Sequence, residues 1–187
     1  VKFQLKGITF TGTSVYDDAA LEKIYADKIG QTISLADLYA VANDVTLKYR
    51  NDGYVLTQVV VPPQEISGGT AKLQVVEGFV QNINVRKADE NAPIDMNNIQ
   101  TYAAQISHGG PLNVKDLERQ LLIINDLPGV TARSVLSPSQ TTAGAADMDI
   151  IVDYHPIDAL LSADNYGNRY LGDVQLGAAA TLNSFMG

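Results

Sequence analysis

The 187-residue chain has no cysteine, which excludes a disulfide framework and a thiolate metal site without identifying a compartment. It is also poor in cations: 13 Lys and Arg are scattered among 21 Asp and Glu, for a net charge of −8. A phosphate-binding surface needs clustered Lys and Arg that release counterions, so no nucleic acid is expected as a partner. No window approaches the ~20 apolar residues of a membrane-spanning helix. The two histidines, His108 beside Gly109-Gly110 and His155 beside Pro156, are not spaced as a ligand pair. Asp147 and Asp149 alternate with Met148 and Ile150 as on a solvated strand face, and together with Asp153 they lack a glycine-punctuated calcium loop. No metal and no cofactor are expected. No serine sits in a nucleophile elbow, and Gly68-Gly69 lacks the Lys-Ser/Thr of a phosphate loop, so no catalytic residue and no enzyme is expected. The chain starts at Val1 without Met, a basic segment or an apolar signal core, and reads as a mature or cut form.

What the sequence does contain is a repeat with a period of about 76 residues. Ser34 with Asp37, and Asn113 with Asp116, each place a capping side chain three residues before an acid at the start of an apolar helical stripe. Downstream, Gly53 corresponds to Gly129, Val61-Pro62-Pro63 to Leu136-Ser137-Pro138, and residues 73–77 to 149–153. The reading is an α+β chain of two strand-helix-helix-strand-strand modules, 1–78 and 79–157, with a further segment over 158–187.

Val1, Phe3 and Leu5 share a face, and a phase slip at Lys6-Gly7 continues it with Ile8 and Phe10, which predicts one bulged strand over 1–12. Leu21, Ile24, Tyr25 and Ile29 predict a helix over 17–29, closed by Gly30. Leu35, Leu38, Ala42, Val45 and Tyr49 form the stripe of the second helix, stopped by Gly53. Residues 55–61 are β-branched and end at Pro62-Pro63, which favours a sheet-edge strand. Ser67-Gly68-Gly69 turns the chain into a central strand over 70–77, and 79–86 opens the second module without a flexible linker, so a fairly fixed inter-module angle is expected. Helices are predicted over 96–106 and 113–127, the latter with Val114, Leu117, Leu121 and Ile124 inside. Strands 130–136 and 148–154 form a hairpin across a Ser/Thr/Gly/Ala-rich connection.

From Asp173 the pattern becomes strict alternation, Val174, Leu176, Ala178, Ala180 and Leu182 against Gln175, Gly177, Ala179 and Thr181, as in a transmembrane β-strand. Tyr166 and Tyr170 precede it where an aromatic girdle is expected. An ordinary half-buried strand of a soluble sheet has the same pattern. A barrel strand cannot stand alone, so such a strand needs neighbours.

The opening VKFQLKGITFTGTSVYD, the helix-turn GQTISLADLYAVANDVTLKYRNDGYV, the joint AKLQVVEGFVQNINV and the end DNYGNRYLGDVQLGAAATLN together resemble the POTRA region of two-partner-secretion outer-membrane transporters. These are the exporters of haemolysins, adhesins and contact-dependent-inhibition proteins. The resemblance implies two periplasmic POTRA domains followed by the first strand of a transmembrane β-barrel, in an outer-membrane protein. It also implies capture of an unfolded secreted partner, through that partner's N-terminal secretion domain. An alternative is a docking array of a BamA-like barrel-assembly machine.

A physical mechanism stands beside the resemblance. An open edge strand offers N–H and C=O groups to any extended chain, and a neighbouring helix supplies a groove for its side chains. The expected contact strip is Tyr54, Val55, Thr57, Val59 and Val61 with Leu38 and Val45 of the helix, and Val130, Ala132 and Ser134 are the second module's counterpart. The bland alternative leaves each as an ordinary strand or core residue. If 55–61 is an edge, Val59→Pro is expected to weaken capture and spare the fold.

Overall fold

The computed structural model describes residues 2–66, 68–107, 109–142, 144–165 and 175–183. His108, Tyr166, Tyr170, Asp173 and Val174 lie outside the described residues. The chain divides into two compact units: Val1–Ile83 with Ile106–Arg119 and Leu136–Met148, and Asn84–Gln105 with Gln120–Val135 and Asp149–Gly187.

The opening stretch is two strands rather than one bulged strand, β1 (Lys2–Gln4) and β2 (Gly7–Thr11). The chain changes sheets between them: Leu5 N–H donates to Gln31 O at 2.9 Å, and Lys6 N–H donates to Gly69 O at 2.7 Å. Asp17 caps α1 (Asp18–Tyr25) by accepting from the Ala20 N–H, and the expected helix to 29 is cut short by a 3-10 turn, Ala26–Lys28. β3 (Thr32–Ser34) pairs antiparallel with β1. α2 (Leu35–Asn51) begins with the expected capping box. Ser34 N–H donates to the Asp37 carboxylate at 2.7 Å and Asp37 N–H donates to Ser34 Oγ at 3.3 Å. The Ser34 N–H and hydroxyl donated to Asp37 hold its carboxyl below the usual range.

The inner face of α2 is Leu38, Val41, Ala42, Val45 and Tyr49, whereas Leu35 is exposed. This face packs with Leu5, Ile8, Phe10, Leu21, Ala71, Leu73 and Val75 into one core. β5 (Thr70–Val76) is the middle of a three-stranded sheet, parallel to β2 and antiparallel to β4 (Gln58–Val60). β4 is at the sheet's edge, as Pro62-Pro63 suggests, but it holds three residues rather than the expected seven. Thr57 N–H donates to Tyr54 O at 3.1 Å, so 54–57 is a turn. Just past β5, Glu77 accepts from Ser14 N–H at 2.9 Å, Val15 N–H at 3.1 Å, Tyr49 OH at 2.8 Å and the Ser14 hydroxyl.

Next come β6 (Phe79–Lys87), α3 (Met96–Ala104), α4 (Val114–Asn125), β7 (Val130–Pro138) and β8 (Ala145–Tyr154), with sheet order β6-β8-β7. Asn113 Oδ1 caps α4 by accepting from the Lys115 N–H at 3.0 Å. The buried face of α4 is Leu117, Gln120 and Ile124, with Leu121 only half-buried. β9 (Ile157–Asp164), which the sequence reading missed, pairs antiparallel with β10 (Gln175–Leu182).

Candidate functional site

A sheet edge recruits an extended chain only where its outward N–H and C=O groups have no partner. On β4 the decisive residue is Val59, which sits opposite Val75. Its N–H donates at 3.1 Å to the hydroxyl of Thr46 on α2, so it points away from β5, and the helix already occupies it. Thr46 in turn donates to Ala42 O at 2.9 Å. Farther along the sheet, the Gln64 side-chain amide takes both backbone groups of Lys72, each at 2.7 Å, as an added strand residue would. The β4 rim of the first sheet is therefore largely claimed by its own chain.

The expected contact strip divides accordingly. Leu38, Val45 and Val59 are buried in the core, and Thr57 is buried with its hydroxyl unpartnered among the described residues. Their side chains are unavailable to a ligand because α2 packs its apolar face onto the sheet. Tyr54 is half-buried, its ring edge-on to Tyr49 at 6.0 Å. Val55 is exposed on the turn, and Val61 lines a surface hollow of about 380 Å³ with Leu35, Tyr39, Pro63 and Ile66. Leu35 and Tyr39 were absent from the expected strip; their exposed positions on the first turns of α2 make them the helix's real contribution to a groove.

In the second sheet, β6 and β7 are the two edges, each nine residues long, and β7 is the counterpart of β4. Val130 and Ala132 point their side chains inward, and Ser134 is half-buried. Asn125 of α4 accepts from the Ala132 N–H at 2.5 Å and donates to the Ala132 C=O at 3.4 Å. Ser139 N–H donates to Ala145 O at 2.9 Å, so odd-numbered positions turn toward β8 and even-numbered ones toward solvent. Among the described residues, the outward backbone groups of Ser134 and Leu136 have no partner beyond their own sheet. Thr46 and Asn125 were missed by sequence reasoning, yet a signal existed: each stands twelve residues after its helix cap, Ser34 or Asn113.

This arrangement of helix pair and three-stranded sheet has relatives. Residues 3–78 match the family of POTRA domains of the ShlB type. The chain is the POTRA region of a two-partner-secretion transporter. The heme/hemopexin transporter protein HuxB of Haemophilus influenzae strain 86-028NP is 32% identical over 168 residues, covering 89% of this chain and 29% of that protein. The outer membrane transporter CdiB of Escherichia coli is 24% identical over 185 residues, 99% of this chain and 31% of its own length. The solved structure of CdiB from Escherichia coli superposes with a TM-score of 0.70 at 23% identity, covering 97% of this chain and 33% of that one, and so shares the fold. The POTRA chain thus spans about a third of the length of these relatives. Its family is one of secretion components rather than of enzymes.

Proposed function

We propose that this chain is the polypeptide-recognition part of an outer-membrane exporter, which takes hold of an unfolded secreted partner and passes it to a barrel pore. The region lies on the periplasmic side of the outer membrane. The partner is an exoprotein recognised through its N-terminal secretion domain, bound by adding a strand to a sheet edge. Modules 1–78 and 79–157 are the two POTRA domains, and the β9–β10 hairpin is the start of the barrel.

The observation that carries the capture step is the rim of β7, where Ser134 and Leu136 present unpartnered backbone among the described residues. Main-chain bonds give affinity with little demand on sequence, which suits a carrier that must handle a long extended chain. The reading moves the main contact strip from Val55, Thr57 and Val59 to Ser134 and its neighbours.

The test is titration calorimetry of the 187-residue chain with the secretion domain of the exoprotein encoded beside it, once unfolded and once folded. Binding of the unfolded form alone is expected, with photocrosslinks from Val135 exceeding those from Val55. No binding of the unfolded domain, or equal binding of the folded one, overturns the proposal.

A further inference from the structure

The open part of β7 is bracketed, and the brackets define what it accepts; the inference rests on the capture reading above. At one end, the Val130 N–H is taken by Leu127 O at 3.1 Å and both backbone groups of Ala132 by the Asn125 amide. At the other end, Pro138 has no N–H to give. Between them only Ser134 and Leu136 face outward.

We propose that Asn125 is a positioning residue that fixes where a captured strand starts, confining strand addition to residues 133–137. The ligand class follows from the surroundings. Leu121 and Leu122 precede Asn125 by four and three residues and share the helix face that borders the rim, with Leu122 63% exposed. Val135 is exposed on the opposite, outer face of the strand, so the apolar positions of the added segment are those that turn toward Leu121 and Leu122. The site takes an extended segment of about five residues with apolar side chains at alternate positions, the spacing set by the strand period. Thr46 at the equivalent helix position guards Val59, and Gln64 guards Lys72, so the β4 side of the first sheet offers no such window.

Because the chain has no cysteine, Thr131→Cys and Val135→Cys each create a single thiol, at exposed positions on either side of Ala132. The probe is a synthetic peptide copying residues 147–154 of β8, the strand β7 already pairs with, carrying one cysteine moved along its length and equilibrated with each variant in a buffer of oxidised and reduced glutathione, so that the protein–peptide disulfide forms by exchange with release of glutathione. Mixed disulfide at position 135 is expected to exceed that at 131 by roughly tenfold, the effect of one or two backbone hydrogen bonds. Asn125→Ala should bring the two levels together. Asn125→Asp, which keeps the acceptor and loses the donor, should give an intermediate ratio and serves alone if the alanine variant does not fold. Equal capture at both thiols with Asn125 present, or an unchanged ratio in the variants, overturns the positioning role while leaving capture intact. Capture no better than that of a proline-substituted peptide at both thiols overturns the capture reading and this inference with it.

Discussion

Glu77 shows how single residues hold the POTRA domain of residues 3–78 in shape. Burial by itself would raise its carboxyl pKa, but the bonds from the Ser14 hydroxyl and N–H, Tyr49 OH and Val15 N–H outweigh burial and lower it. A lowered folded value means that Glu77 contributes stability above its unfolded pKa near 4.5, and loses it as pH falls through the lower folded value. Glu77→Gln should therefore cost about 2 kcal/mol at neutral pH, and the difference from wild type should shrink below about pH 4.5 in urea titrations. A constant difference down to pH 3 would refute the assignment. Gly53 is a second such residue, with φ at 103° and an added Cβ lying 2.5 Å from Asn113 Oδ1. Its C=O also accepts from the Val114 N–H at 2.9 Å, joining the end of α2 to the start of α4. Gly53→Ala should lower stability by about 2–3 kcal/mol, from left-handed strain plus displacement of the Asn113 cap. A melt within 0.5 kcal/mol of wild type, on the scale of an ordinary surface change, would show that the joint yields freely.

Between elements, the contrast of β4 with β7 reverses the expectation for Val59→Pro. Val59 is buried and its N–H is held by Thr46, so proline removes a buried bond and should cost about 3 kcal/mol. Ser134→Pro removes an outward N–H with no internal partner among the described residues, so it should leave stability within about 1 kcal/mol while weakening capture. Chemical denaturation alongside peptide binding separates the two, and equal stability losses would mean that both rims are alike. The helices are legible in sequence because their signals are local: Ser34 with Asp37 writes the start of α2, Gly53 its stop, and a period of 3.6 its inner face. The edge position of β4 is legible too, since Pro62-Pro63 cannot continue a ladder. The break at Leu5–Lys6 and the turn at 54–57 are not legible, because alternation looks the same whether a chain stays in one sheet or crosses to another. The guards are legible only as a shared position, twelve residues after each helix cap; their role is not, because Thr46 and Asn125 are ordinary polar helix residues until tertiary register sets a strand backbone beside them.

At the scale of the molecule, the β9–β10 hairpin stands apart, because every described side chain on its strands is exposed. Its register pairs Ile157 with Leu182, Ala159 with Ala180, Leu161 with Ala178 and Ala163 with Leu176, so one face is wholly apolar. The opposite face is mixed, with Asp158 opposite Thr181, Leu160 opposite Ala179 and Ser162 opposite Gly177. Leu161 and Leu176 are 83% and 81% exposed, and a two-stranded ribbon showing such a face to water is marginal at best. Strands of eight residues rise about 26 Å, close to the ~25 Å apolar band of an outer-membrane barrel, with lipid and lumen faces alternating as here. In a barrel the apolar face meets lipid, and the two neighbouring positions Leu161 and Ser162 should respond oppositely to charge. Leu161→Arg in the full-length transporter should destabilise folding into phosphatidylcholine vesicles by about 2–4 kcal/mol, the depth-dependent cost of arginine on a lipid face, whereas Ser162→Arg should cost under about 1 kcal/mol. The measurement is urea-dependent folding into those vesicles, followed by tyrosine fluorescence and heat-modifiable gel mobility. Equal costs at the two positions would mean that neither face meets lipid, and the hairpin would then need protein cover on its apolar side.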